Sequence, residues 1–239
     1  MLRIENLTKK FGPFTAVDNI SLNIPKGDLY AFLGENGAGK TTTIKIIAGL
    51  YSPTSGKVFI DNVNVQTDPV TAKSCIGYIP DQPFLYDKLT GREFLYFSGG
   101  LYNLNKQDIN DKIKEYVDFL QIGSWIDKKT EEYSQGMKQR ITIASALLHN
   151  PKLLILDEPM IGLDPQSAVI VKNLLRKKAS EGTAVFMSTH SLPVAEEICN
   201  RIGIIKNGRM IFENNREAIE ILKSNKNSNF ESLFLELTK

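Results

Sequence analysis

The sequence predicts an α/β protein: a mostly parallel core sheet, an antiparallel β region at its start, and a helical block inserted between core strands. Three observations carry this. Residues 29–33 and 153–156 are continuous apolar runs, the pattern of strands buried on both faces. The first run leads through a glycine-rich loop into an amphipathic helix, the connection that joins parallel strands. Between about 83 and 149 the strand signals stop and three helical patterns follow one another before strands resume.

Taken in order, residues 2–7 partly alternate and Phe11-Gly12-Pro13 turns the chain. A short strand is expected at 21–24, a turn at 25–28 and a buried strand at 29–33. A helix is expected at 40–48, with Gly49 as its stop signal. Residues 57–60 and 75–79 read as strands, and 90–102, 108–120 and 134–148 as helices. Strands at 153–156, 183–188 and 201–206 then alternate with a helix at 165–179. Asn207-Gly208 is a two-residue hairpin signal joining 201–206 to 209–212. A polar linker is expected at 224–229. After it, Phe230, Leu233, Phe234 and Leu237 share a helical face. The organisation expected is one domain: a core of 1–82 and 150–213, a helical subdomain of 83–149, and a helical tail of 214–239.

Composition narrows the function classes. Apolar residues make up 42% of the 239 and charged residues 23%, which excludes a disordered chain. Twenty-nine Lys and Arg against 27 Asp and Glu leave a formal charge of +2, without the basic excess of a dedicated nucleic-acid binder. Two cysteines, Cys75 and Cys199, are too few for a disulfide scaffold. The apolar stretches fall short of the roughly 20 residues that span a bilayer, and no signal-peptide core opens the chain. The expectation is a cytosolic protein, or one attached to something that is not.

Gly34-Glu35-Asn36-Gly37-Ala38-Gly39-Lys40-Thr41 has the spacing of a phosphate-binding loop. Its glycines let backbone N–H groups converge on an anion, Lys40 reaches the β- and γ-phosphates, and the Thr41 hydroxyl can ligate Mg²⁺. Thr42 follows in the first turn of a helix whose positive end faces the anion. The apolar strand 153–156 ends in Asp157 and Glu158, at the carboxyl edge where open parallel sheets bind ligands. Asp157 is therefore expected beside the Mg²⁺, and Glu158 beside a water attacking the γ-phosphate.

Other residues admit two readings each. Gln82, after the strand ending at 79, is either an ordinary loop residue or a ligand of Mg²⁺ or the attacking water. His190 is either the exposed start of a helix capped by Ser191 or a donor to a γ-phosphate oxygen. His149 is explained by the dipole of the helix it ends. Asp164 caps a helix that opens with Pro165 and is also compatible with a subunit contact. Ser134 caps another helix, and with Gly136 offers a second anion-facing helix end. If both helix ends serve one nucleotide, either the chain folds them together or two chains pair. Phe84-Leu85-Tyr86 is either core or a docking patch, with burial of at least two of the three as the expectation.

These elements, in this order, resemble the ATP-binding subunit of an ABC transporter, from Met1 to about Phe212. Residues 34–41 look like Walker A and 153–158 like Walker B with its catalytic glutamate. Gln82 matches the Q-loop, 162–164 the D-loop, His190 the switch histidine, and Phe11 the aromatic that stacks on adenine. Residues 133–137 match the signature Leu-Ser-Gly-Gly-Gln with Tyr133, Gln135 and Met137 substituted, a form similar to that of drug, polysaccharide and sodium exporters. The resemblance implies the P-loop NTPase fold and ATP with Mg²⁺ as ligands. It implies a head-to-tail homodimer or heterodimer, with each ATP held by Walker A of one subunit and by Ser134 and Gly136 of the other. It also implies an integral membrane permease as partner, no nucleic acid, and a place at the inner face of the cell membrane. A soluble ABC-type ATPase with a non-transport role is the alternative; such proteins carry long coiled-coil insertions or paired cassettes, for which 239 residues leave no room.

Overall fold

The computed structural model describes residues 1–226 and 230–238. Two sheets organise it. Strands β1 (Leu2–Phe11), β2 (Phe14–Ile24), β4 (Ser55–Ile60) and β5 (Val63–Asn64) form an antiparallel sheet in the order β2-β1-β4-β5. The second sheet contains β3 (Leu29–Leu33), β6 (Ile76–Ile79), β7 (Leu153–Asp157), β8 (Ala184–Thr189), β9 (Arg201–Lys206) and β10 (Arg209–Asn215). Its order is β10-β9-β3-β8-β7-β6, parallel except for the β10 edge.

Strand periodicity divides the core. On one face of the parallel sheet, Tyr30, Phe32, Leu153, Ile155, Ala184 and Phe186 pack toward the antiparallel sheet around α1 (Lys40–Ile47). On the other, Leu29, Ala31, Leu33, Leu154, Leu156, Val185 and Met187 meet the helices. Those helices are α3 (Gly91–Leu101), α4 (Lys106–Phe119) and α5 (Gln135–Leu147) of the inserted block, then α6 (Pro165–Ser180) and α7 (Leu192–Ile198). Four of their starts are capped as the residue types require: Thr90 in a capping box with Glu93, Asn105 accepting from Asp108 N, Ser134 accepting from Met137 N, and Asp164 accepting from Ser167 N.

Several expectations are corrected. β2 is 11 residues long rather than four. Asn6 and Asn19 adopt left-handed φ of 47° and 53°, and the β1–β2 register shifts, so the alternation that signals a strand is broken. β5 and α2 (Pro69–Ser74, capped by Asp68) are too short to show a period. Ser191 forms no side-chain cap on α7; its N–H donates instead to Thr189 Oγ1 at 3.0 Å. β10 continues to Asn215, and the expected polar linker is helical at its start, since α8 runs from Arg216 to Lys226. The rest of that linker, 227–229, lies outside the described residues. α9 (Phe230–Thr238) forms as expected, with Phe230 buried and Phe234 packed on the core; the side chains of Leu233 and Leu237 lie outside the description.

Candidate functional site

The phosphate loop connects β3 to α1, and its glycines are used sterically. Gly39 sits at φ 108°, and a Cβ there would lie 2.4 Å from the Ala16 carbonyl oxygen, so no side chain fits. The hairpin foreseen at Asn207-Gly208 forms with both residues at positive φ, and it braces the loop: Gly208 N donates to Ala38 O at 2.9 Å. Lys40, only 6% exposed, curls back so that Nζ donates to Gly34 O at 2.7 Å and Glu35 O at 3.1 Å.

The carboxyl ends of β7 and β8 supply the acidic half. Glu158 Oε1 lies 3.7 Å from Lys40 Nζ and 3.0 Å from His190 Nδ1, while His190 N donates to Glu158 Oε2 at 3.4 Å. The Glu158 side chain is held by its backbone as much as by these partners. Its φ is 49°, a left-handed conformation that costs a non-glycine residue on the order of 1–3 kcal/mol and persists only where the surroundings impose it. Ser188 is the restraint: Glu158 N donates to Ser188 O at 3.2 Å and to Ser188 Oγ at 3.1 Å. The same hydroxyl donates to Asp157 Oδ1, so one serine of β8 ties both carboxylates. Burial pushes the Asp157 carboxyl above the ordinary range, opposed by hydrogen bonding from the Ser188 hydroxyl.

Asp157 is fully buried, and its Oδ2 has no protein donor. A hard oxygen donor left unpaired beside the Thr41 hydroxyl fits a divalent cation chemically. Phe14, Ala16, Asn36, Gly37, Gly39, Lys40, Thr41, Thr42, Asp81, Glu158, Ile161 and His190 line a cavity of about 440 Å³.

The expected site residues therefore fall into groups. Asn36, Gly37, Gly39, Lys40, Thr41, Thr42, Glu158 and His190 line this cavity; Gly34, Ala38 and Asp157 are buried behind it. Gln82 is exposed in the loop after β6, and its neighbour Asp81 lines the cavity. Phe11 meets Tyr51 edge to face at 5.9 Å, under Lys9 Nζ at 4.9 Å, while Phe14, across the same hairpin turn, faces the cavity. Ser134, Gly136 and Asp164 are not among its lining residues. They belong to a second group at the N-termini of α5 and α6, where a Cβ on Gly136 would stand 3.6 Å from Asp164 Oδ2. The Ser167 hydroxyl and N–H both donate to Asp164 and hold its carboxyl below the ordinary range.

Sequence reasoning missed Phe14, Asp81, Ile161 and Ser188. Only Ser188 had a usable signal, since it lies in a parallel strand whose residues are otherwise mostly apolar. His149 is a correction. Its environment is set by burial rather than by the helix end alone: burial lowers its pKa, Nε2–H donates to Ile76 O at 2.9 Å, and the ring stacks on Tyr102 at 3.7 Å. The patch 84–86 is also reversed, with Phe84 73% and Tyr86 46% exposed and only Leu85 buried.

Comparison with known proteins identifies the family and the fold. The ABC transporter family model matches residues 17–161. The chain is 37% identical over 236 residues to the bacitracin transport ATP-binding protein BcrA of Bacillus licheniformis, covering 95% of this chain and 76% of that protein. It superposes on the solved ATP-binding subunit of an ABC transporter with a TM-score of 0.93 at 29% identity, each chain covered in full. It also superposes on a dimeric post-hydrolysis structure of the ATP-binding cassette MJ0796 bound to ADP and Pi, with a TM-score of 0.83 at 29% identity over 90% of this chain and 99% of that one. With a loop closed over by Lys40 and with Glu158 and His190 opposite as its candidate nucleotide site, the chain is an ATP-hydrolysing subunit and belongs to the ABC transporter family.

Proposed function

We propose that this subunit pairs head to tail with a second ATPase subunit, sandwiching two ATP molecules, and so drives a separate membrane permease that exports its substrate. The observation that carries the reading is the division of the site. Lys40, Glu158 and His190 line the cavity at the glycine-rich loop, whereas Ser134, Gly136 and Asp164 group at two helix N-termini and are not among its lining residues. A partner's cavity is the natural complement of that second group, and the MJ0796 cassette is described as dimeric.

Within each composite site, Gly34, Asn36, Gly37, Ala38 and Gly39 would wrap the phosphates, and Lys40 would exchange its loop carbonyls for phosphate oxygens. Thr41, Asp157 and Gln82 would hold Mg²⁺, which supplies charge neutralisation to the phosphates. Glu158 would accept the proton of the attacking water, and His190 would orient Glu158 and donate to a γ-phosphate oxygen. Phe11 and Phe14 flank the hairpin turn from which an aromatic can stack on adenine. The permease would dock on the exposed aromatic ladder of the helical block, where Tyr86 meets Phe84 at 5.5 Å and Phe97 at 5.3 Å. No helix among the described residues is long and apolar enough to cross a membrane, so such a partner would supply the pathway. A transport role is supported by likeness to a bacitracin transport ATP-binding protein.

Ser134→Arg tests the pairing. Nucleotide affinity of the monomer stays within twofold of the parent while the ATP-dependent dimer disappears. Loss of monomer binding would show instead that Ser134 acts within its own chain.

A further inference from the structure

Gln139 lies on α5, one turn beyond Ser134 and Gly136, and is 2% exposed. Its Nε2 donates to Pro159 O at 3.3 Å, across 20 residues of sequence, and Pro159 is the residue after Glu158. Two further contacts bind the same segments. Gly162, at φ 73°, presses on Gln135 so closely that a Cβ would fall 2.8 Å from Gln135 Cγ. Gly136 lies against Leu163, Asp164 and Ser167. Between these contacts the loop folds on itself, with Ile161 N donating to Glu158 O at 3.2 Å and Leu163 N to Met160 O at 3.4 Å. A buried amide at such a position is costly unless paired, so its bond to Pro159 resists separation of the two segments.

We propose that Gln139 is a positioning residue that couples the two nucleotide sites through one chain. It ties the loop carrying Glu158, which serves this chain's own ATP, to the start of α5, which faces the partner's ATP. Engagement of Ser134 by the partner's nucleotide then fixes the position of Glu158, and displacement of Glu158 loosens the grip of Ser134. This rests on the composite-site reading above. What it adds is the physical link, a single amide bridging α5 to the residue after the catalytic carboxylate, with the Gly162–Gln135 contact as its second clamp.

The test uses the full chain with Gln139→Met, which keeps length and volume but removes the donor. Gly162→Ala serves as a second variant, loosening the same clamp by strain and by contact with Gln135. Two quantities are measured. One is turnover per bound ATP, normalised by nucleotide stoichiometry so that a misfolded fraction does not count. The other is the monomer–dimer midpoint in Mg-ATP, measured in the Glu158→Gln background. The coupling predicts that both change about tenfold while monomer ATP affinity stays within twofold. A residue that merely shapes the Glu158 loop would change turnover alone, and one that merely stabilises α5 would change dimerisation alone; either result overturns the proposal, as does no change in both. If Glu158→Gln itself never dimerises, the composite-site reading fails, and that failure is separate from any result at Gln139. If one variant does not fold, the other decides.

Discussion

Ser188→Ala removes a hydroxyl that neither touches the phosphates nor lines the cavity, yet it should lower both stability and turnover. Ser188 Oγ is the donor that Asp157 Oδ1 receives, and Asp157 is fully buried with Oδ2 unpaired, so the carboxylate loses a hydrogen bond it cannot replace from solvent. A hydrogen bond to a charged group contributes about 1.5–3 kcal/mol. Glu158 N loses only one of two acceptors, because Ser188 O remains at 3.2 Å, so this second loss is small. The sum expected is about 2–3 kcal/mol of unfolding free energy. The catalytic effect follows from strain: with Oγ gone, less holds Glu158 at φ 49°, and relaxation withdraws its carboxylate from Lys40 and His190. Because Ser188 O still holds Glu158 N, the barrier increase expected is no more than about 1.4 kcal/mol, a fall in kcat of up to about tenfold. Urea unfolding followed by the fluorescence of Trp125, the one tryptophan, gives the first quantity, and steady-state phosphate release gives the second. Unfolding free energy within 0.5 kcal/mol of the parent and kcat within twofold would refute the assignment of Ser188 as the restraint on both carboxylates.

Replacing Phe84 and Tyr86 together by serine should leave basal ATPase and the melting temperature close to the parent, since both rings are exposed, while co-purification with the proposed permease falls; parallel loss of folding would show the ladder to be structural. His149 predicts a pH effect. Burial depresses its pKa in the fold, so the stability linked to the neutral ring is present above the unfolded value of about 6.5 and is lost as pH falls through the folded value, at no more than about 1.4 kcal/mol per pH unit. His149→Phe keeps the flat contact with Tyr102 and should flatten this acid limb; identical pH profiles would remove His149 as its source.

The phosphate loop and the strand ending in Asp157-Glu158 were legible because their chemistry leaves few residue types to choose from. Gly39 can be nothing larger, and a parallel strand buried on both faces must be apolar until its carboxyl edge. What was not legible depended on distant parts of the chain. Ser188 stands out as a polar residue in an apolar strand, but its partner Asp157 lies 31 residues away and is reached only through sheet pairing. Phe14 rather than Phe11 faces the cavity because of how one hairpin turn splays its two aromatics, and the bulged strands around that turn hide their own period. The left-handed Glu158 carries no local mark, since only the surrounding fold imposes it. The exposed Phe84 and Tyr86 went against the usual fate of aromatics, so residue type alone misplaces them.

Glu158 is proposed as the base whose action ends an ATP-bound dimer, and Glu158→Gln tests that role most directly. The amide keeps the shape of the side chain but cannot accept the proton of the attacking water. Gel filtration of this variant in Mg-ATP should show a species of twice the 26.8 kDa chain, with ATP retained and phosphate release slowed on the order of a hundredfold or more. A variant that stays monomeric and hydrolyses ATP near the parent rate would contradict the account.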